Sequence, residues 1–275
     1  MELNVPLVSI IVPTRNSAAT LQDCLQSLKN QSYPHIEIIV VDNFSTDSTT
    51  EICATMNVTF LQRGPERSTQ RNVGVAHASG NYVMIIDADM TTSSTTVEEC
   101  VMLCQRGQHG GIVIPLEELA PGFWGRCRWL ERRCYDGTPL VEASRFFSIE
   151  AYRAVGGFDE RLYAFEDWDL HHRVVAAGFS SLKASRRWAL LYHNEGRISL
   201  RSLTRKRAYY GEQLALYTSK HPALAHRQFS LRHRANIFLK HWPLMTRHPI
   251  LAAGLFVMKG IEAAAAHSLP WQDVQ

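Results

Sequence analysis

The sequence contains no G-x-G-x-x-G, no C-x-x-C pair, no internal repeat and no low-complexity tract. The first absence removes the glycine-rich turn that dinucleotide-binding dehydrogenases use to bring backbone against a pyrophosphate. The second leaves six scattered cysteines (Cys24, Cys53, Cys100, Cys104, Cys127 and Cys134) without zinc-finger or redox spacing. Free buried thiols in a reducing compartment are expected instead. Long apolar runs are also lacking. The best, Ile250–His267, has 18 residues and carries Lys259 and Glu262, whereas a spanning helix needs about 20 apolar residues with few charges. The start MELNVPLVSIIVPTRN runs straight into a strand pattern, so no signal peptide is expected. A cytoplasmic protein is anticipated, peripheral on the inner face of the cell membrane where it meets lipid.

Acidic residues are nearly missing from one segment. Residues 197–248 hold 11 Lys and Arg against the single acid Glu212, while residues 1–196 hold 17 against 23. A basic segment attached to a neutral-to-acidic body points to an anionic partner, such as a membrane surface or a lipid phosphate. Arg201, Arg205, Lys206 and Arg207, with Tyr209, Tyr210 and Tyr217, would suit a helix lying on such a surface. Nucleic acid is not expected, because no binding module accompanies the charge. A solvated helical face is the alternative reading.

What is present is an α/β pattern in an ordinary globular composition, 45% hydrophobic and 20% charged over 275 residues. Strands are expected at Leu7–Val12, Ile36–Val41, Val58–Leu61 and Tyr82–Ile86. Helices are expected at Ala18–Asn30, at Thr46–Met56 (capped by Ser45 or Thr46) and at Ser68–Ala78. This alternation is that of βαβ units with a parallel sheet, whose ligands bind at the carboxyl ends of the strands. Pro13–Asn16, Asp42–Ser45 and Asp87–Asp89 all fall at such ends. Beyond residue 110 the alternation weakens: Gly111–Pro115 reads as a strand, Trp124–Cys134 and Asp167–Ala177 as helices, and residues 199–220 and 225–241 as basic helices.

Several polar motifs carry chemistry. Asp87-Ala88-Asp89 follows the strand YVMII, and two carboxylates one residue apart can share a hard divalent cation and its phosphates. Arg71 opens a helix just before that strand, a position suited to phosphate; as a surface residue it would pair with Glu66. Asp42 suits a nucleobase or ribose contact, or a bare helix cap. Glu166, Asp167 and Asp169 crowd a helix start beyond what a cap requires, and Asp167 is the candidate general base. His193, in a polar cluster at a strand end, is a candidate metal or phosphate ligand or a structural histidine.

These residues resemble the family 2 glycosyltransferases, over roughly residues 7–196. The match rests on VSIIVPTRNSAATLQDCLQSLKNQSYPHIEIIVVDNFSTDST, QRNVGVAHASGNYVMIIDADM, GGFDERLYAFEDWDLHHRV and YHNEG, in the family's order and spacing. The resemblance implies a GT-A fold, a Rossmann-like and mostly parallel sheet flanked by helices, over residues 1–196; the basic helical region expected over 197–275 lies outside it. The resemblance also implies an inverting enzyme that uses a UDP- or GDP-linked sugar with Mn²⁺ or Mg²⁺, and a glycan or lipid-linked acceptor. Pro13, Thr14 and Arg15 would line the nucleoside pocket, with Asp42 on the base. Arg71, Asp87 and Ala88 would flank the ribose, diphosphate or donor sugar. Asp89 would hold the metal, with His193 completing that site, and Asp167 beside Glu166 would act as base. Glu142, Arg145 and Trp168 are further candidates for sugar or acceptor contacts. Asn43-Phe44 stands where many relatives have Asp-Gly, so the base preference stays open. A sugar nucleotidyltransferase would want glycine in Val12–Asn16, where there is none; a catalytically silent nucleotide-sugar-binding protein is the remaining alternative.

Overall fold

The computed structural model describes residues 5–267, without the side chains of residues 207–208 and 265–267. The chain divides into two compact units, residues 1–116 with 143–193, and residues 117–142 with 194–275. The segment 117–142 therefore groups with the C-terminal helices, whereas the sequence reading drew one boundary at 196.

The first unit is built on a seven-stranded sheet. Its first four strands, β1 (Val8–Thr14), β2 (Ile36–Asp42), β3 (Thr59–Gln62) and β4 (Tyr82–Ile85), pair in parallel in the order β3-β2-β1-β4. They are joined by α1 (Leu21–Lys29), α2 (Thr49–Thr55) and α3 (Arg67–His77), as the alternation requires. All seven residues of β1 are buried, as in a parallel strand covered on both faces. A three-residue β5 (Met90–Thr92) follows β4, then α4 (Thr96–Gly107) and β6 (Gly111–Val113). β7 (Leu116–Glu118) and α5 (Gly122–Tyr135) carry the chain through the division between the units, and β8 (Phe146–Ser148) returns to the sheet. β8 runs antiparallel between β4 and β6. α6 (Ile149–Ala154), α7 (Glu166–Ala176), β9 (Ser181–Lys183) and β10 (Leu191–His193) complete the unit.

The sheet opens at its carboxyl end. β1 pairs with β2 as far as Thr14↔Asp42 but with β4 only as far as Ile11↔Ile85. Pro13 has no N–H to continue a ladder, and it lies beyond the last β1–β4 pair. On the other side of that opening, β10 runs antiparallel to β5 with His193 opposite Met90. Two apolar clusters sandwich the sheet, one around Ile10, Leu25, Met84 and Phe146, the other around Ile11, Val41, Val83 and Leu170.

Local differences from the expected elements have identifiable causes. α2 starts at Thr49 because Ser45 and Thr46 are engaged elsewhere, Ser45 by Asp42 and Thr46 N–H by the Asn16 side chain, while Asp47 accepts from Thr49 N–H. The expected helix 225–241 is two, α9 (Pro222–Phe229) and α10 (Leu231–Lys240), because the Ser230 hydroxyl accepts from His233 N–H and caps a new helix. α8 (Leu200–Lys220) precedes them under a Ser199 capping box, and α11 (Trp242–Arg247) and α12 (Pro249–His267) end the second unit. Tyr217, expected on a lipid-facing surface, is fully buried and donates to Gln228. The side chain of Arg207 lies outside the described residues. The core of the second unit packs Cys127, Leu130 and Cys134 of α5 with Leu251, Leu255 and Met258 of α12. Two buried-face ion pairs join the same helices, Lys259 with Glu131 and Arg128 with Glu262. All six cysteines are free and buried, as expected, and burial pushes the Cys134 thiol up to about 11 and the Cys104 thiol to about 12, so both stay protonated at neutral pH. No helix among the described residues is long and apolar enough to cross a membrane.

Two glycines test this packing with opposite signs. A Cβ on Gly74 of α3 would lie 2.4 Å from Ile11 Cγ2, while one on Gly260 of α12 would meet nothing within 4 Å. In urea titrations, Gly74→Ala is expected to cost about 1–3 kcal/mol through overpacking, and Gly260→Ala to gain roughly 0.5–1 kcal/mol from helix propensity.

Candidate active site

The site is assembled around one guanidinium. Arg71 lies on α3 and is fully buried, not on the surface beside Glu66. Its Nη2 donates to Asp87 Oδ1 at 2.7 Å, and its Nη1 to Glu166 Oε1 at 3.0 Å and Asp167 Oδ1 at 3.1 Å. Arg145, just before β8, donates to the remaining oxygens, Asp87 Oδ2 at 3.2 Å and Asp167 Oδ2 at 3.1 Å. Two arginines thus bridge the end of β4 to the start of α7. Burial alone would lower the pKa of Arg71, but Asp167, Asp87 and Glu166 raise it above the ordinary arginine value. Burial would likewise raise Asp87, yet Arg145 and Arg71 hold its carboxyl well below the usual carboxylate range.

The neighbours of Arg71 on α3 set its position. Gln70 is buried and donates through Nε2 to Thr14 O at 2.9 Å and Val41 O at 2.6 Å, closing the ends of β1 and β2. Asn72 Oδ1 accepts from Tyr152 Oη and from Phe158 N, and Asn72 Nδ2 donates to Phe158 O. The Ser68 hydroxyl donates to Leu162 O. Ser68 and Asn72 thus dock the loop 157–165 that delivers Glu166 and Asp167, while Gln70 ties α3 to the ends of β1 and β2. Of this stretch, the sequence points to a role for Arg71 alone. The available signal was polarity: a helix face that should meet a sheet carries Gln, Arg and Asn instead of apolar residues.

The structure separates Asp87 from Asp89. Both Asp87 oxygens are taken by arginines, while Ala88 is buried between the two acids. Asp89 Oδ2 lies 3.3 Å from His193 Nε2, a pairing that follows from the β5–β10 register. Asp89 Oδ1 is buried without a hydrogen-bond partner, and so is Thr14 Oγ1. Asp42 is completely buried, and its Oδ2 accepts from Ser45 N at 2.8 Å while Oδ1 accepts from the Ser45 hydroxyl. It therefore holds the rim turn in shape. Pro13 is buried at the rim and Arg15 exposed. Trp168 stacks on Phe165 with ring centroids 5.6 Å apart beside the acid pair. Glu142 belongs to the second unit, where it accepts from Gly137 N at 2.9 Å; the structure does not bring it into this cluster.

This constellation sits on a mixed α/β sheet whose opening lies at strand carboxyl ends. Residues 9–142 match the family model described as glycosyl transferase family 2. They form a family 2 glycosyltransferase domain. The fold is the GT-A fold. Over its full length, the chain is similar to a mannosyltransferase from Pyrobaculum calidifontis solved in complex with GDP-Man and Mn²⁺, at 19% identity and a TM-score of 0.68, covering 98% of this chain and 89% of that one. It is also similar to Staphylococcus aureus TarS in complex with UDP-GlcNAc, at 18% identity and a TM-score of 0.54, covering 76% of this chain and 66% of that one. Among curated sequences, the glycosyltransferase GlyG of Streptococcus pneumoniae is 31% identical over 99 residues, 34% of this chain and 33% of GlyG. The matches span between 24% and 36% of the length of three curated relatives.

Removing the central cation tests the electrostatics of this glycosyltransferase domain. Arg71→Met leaves Asp87, Glu166 and Asp167 facing one another with Arg145 still bonded to two of them, and is expected to cost about 3–5 kcal/mol near pH 7.5. A carboxylate whose folded pKa is lowered stabilises fully above its unfolded value of about 4, and that stability is lost as pH falls below it. The variant forfeits this, and its crowded acids gain from protonation. Urea titrations should show its deficit shrinking as pH is lowered from about 7.5 to about 5; a pH-independent deficit contradicts the arrangement.

Proposed function

We propose that this glycosyltransferase domain catalyses inverting transfer of a sugar from a UDP- or GDP-linked donor, with a divalent cation, to a hydroxyl on a glycan or lipid-linked acceptor. The observation that carries the reading is the pairing of a buried arginine–carboxylate lattice with Asp89 and His193 at the open carboxyl rim. The solved relatives' ligands, GDP-Man with Mn²⁺ and UDP-GlcNAc, support a nucleotide-sugar donor of either kind.

The residues fit a hard divalent cation. Asp89 offers a carboxylate oxygen that no protein donor satisfies, with an imidazole nitrogen beside its partner oxygen. Asp87, Asp89, Glu166 and Asp167 outnumber Arg67, Arg71 and Arg145, the cations acting on Asp87, so the cluster stays net negative and favours a cation. Bound there by Asp89 and His193, Mg²⁺ or Mn²⁺ would act as a Lewis acid on the departing diphosphate.

The chain's own groups would do the rest. Pro13, Thr14 and Arg15 would line the nucleoside, with the Thr14 hydroxyl available to it and the Asp42-fixed turn closing the base side. Arg71 and Arg145 hold Asp87 and Asp167 in fixed orientation, so their dipoles and charges need no rearrangement as the reaction proceeds. Asp167 would take the acceptor hydroxyl's proton while that oxygen attacks the anomeric carbon opposite the leaving group. A carboxylate has about four acceptor positions, so the two arginine bonds leave Asp167 lone pairs for that proton; its side chain is 26% exposed. One carboxylate acting in one displacement gives inversion. Trp168 beside Asp167 would form an apolar wall for the acceptor sugar.

Calorimetry with UDP, GDP, CDP and dTDP, each with and without Mn²⁺, tests the donor half. Wild type should bind one nucleotide in a metal-dependent way, and Asp89→Asn should lose that binding. Asp167→Asn should keep the binding yet lose transfer by about 10²-fold or more. Binding of none of the four nucleotides would defeat the simple reading.

A further inference from the structure

The second unit carries an apolar surface that its own core does not use. α12 buries Leu251, Ala252, Leu255 and Met258 on one side. Its opposite side, at helical spacing, is Ile250, Ala253, Phe256, Val257, Gly260 and Ala263, all exposed. A helix apolar on every face is ordinarily buried on every face, and here Ile250 is 74% and Phe256 54% exposed. The surface continues on the preceding helices of the same unit. Phe256 contacts Phe238 of α10, with centroids 6.1 Å apart, and Leu239 and Trp242 stand 66% and 59% exposed just beyond.

Charge identifies what covers it. Lys240 and Arg247 are exposed among these residues, and no Asp or Glu occurs anywhere from residue 213 to residue 261. A second copy of the same face would set cations against cations with no acid to meet them. An anionic bilayer offers hydrocarbon for Phe256 and Val257, a headgroup layer for the indole of Trp242 and phosphates for the two cations. No helix among the described residues is long and apolar enough to cross a membrane, so the contact is placed in the interface plane.

We propose that the α10–α12 face, centred on Trp242, Phe256 and Val257, is a monotopic anchor for anionic lipid bilayers. It lies on different helices from the Arg201–Tyr210 stretch that charge alone singled out. It does not rest on the sugar-transfer reading, since lipid binding and nucleotide binding are measured separately.

The test is co-sedimentation of the full chain with vesicles of phosphatidylcholine alone or with about one third phosphatidylglycerol, at about 0.05 M and 0.5 M salt. Binding is expected to the anionic vesicles only, weaker at high salt, with a blue shift in fluorescence that Trp242→Phe abolishes. Lys240→Glu with Arg247→Glu, and separately Ile250→Gln with Val257→Gln, should each weaken binding about tenfold. Leu182→Gln, an exposed leucine of the first unit, should leave it unchanged. Circular dichroism checks that each variant folds; all six altered side chains are exposed. Equal binding by the variants, no binding by wild type, or lipid-free dimerisation that itself shifts Trp242 fluorescence would overturn the proposal.

Discussion

A single buried guanidinium sets the terms for the rest of the first unit. Moving an arginine out of water costs several kcal/mol unless carboxylates surround it, and Arg71 has three. They arrive from different places in the chain, Asp87 from the end of β4 and the Glu166–Asp167 pair from the first turn of α7. The requirement to satisfy one cation therefore fixes the spacing between a strand end and a helix start almost 80 residues later in sequence. Arg145 repeats the bridge on the other oxygens, so that neither Asp87 nor Asp167 can turn without breaking a charge-assisted bond.

That rigidity divides labour between neighbouring residues. Asp87 is consumed by structure, both oxygens held and its charge protected. Asp89, two residues along, keeps an unpartnered oxygen and an imidazole neighbour. The turn between β4 and β5 makes this possible: Met90 N–H donates to Asp87 O, and Ala88 is buried between the two acids. The same economy appears at Asp42, which spends both oxygens on Ser45 so that the rim turn keeps its shape.

The parallel half of the sheet was legible because each strand is a run of β-branched residues followed by a helical period, and the boundaries fell within a few residues. The site acids were legible because they interrupt apolar strands or crowd a helix start. What escaped the sequence was of two kinds. Three-residue strands such as β5 and β10 have no period to detect, yet their register is what brings His193 to Asp89. Long-range polar docking by Gln70 and Asn72 leaves no local pattern, since its partners are backbone and side-chain groups up to 88 residues away. Tyr217 failed for a third reason: a tyrosine among basic residues reads as interfacial, but its hydroxyl had a buried partner in Gln228. The break at Ser230 was visible in principle as a cap residue inside a helical run.

If Arg71 is the joint on which α7 depends, removing it should loosen that helix before anything else. The direct measurement is hydrogen exchange on Arg71→Met beside the wild type, resolved by peptide under native conditions. Amides of residues 169–174 in α7 should lose protection in the variant while β1 and β2 keep theirs. Unchanged protection in α7, or a loss spread evenly over the first unit, would contradict the account.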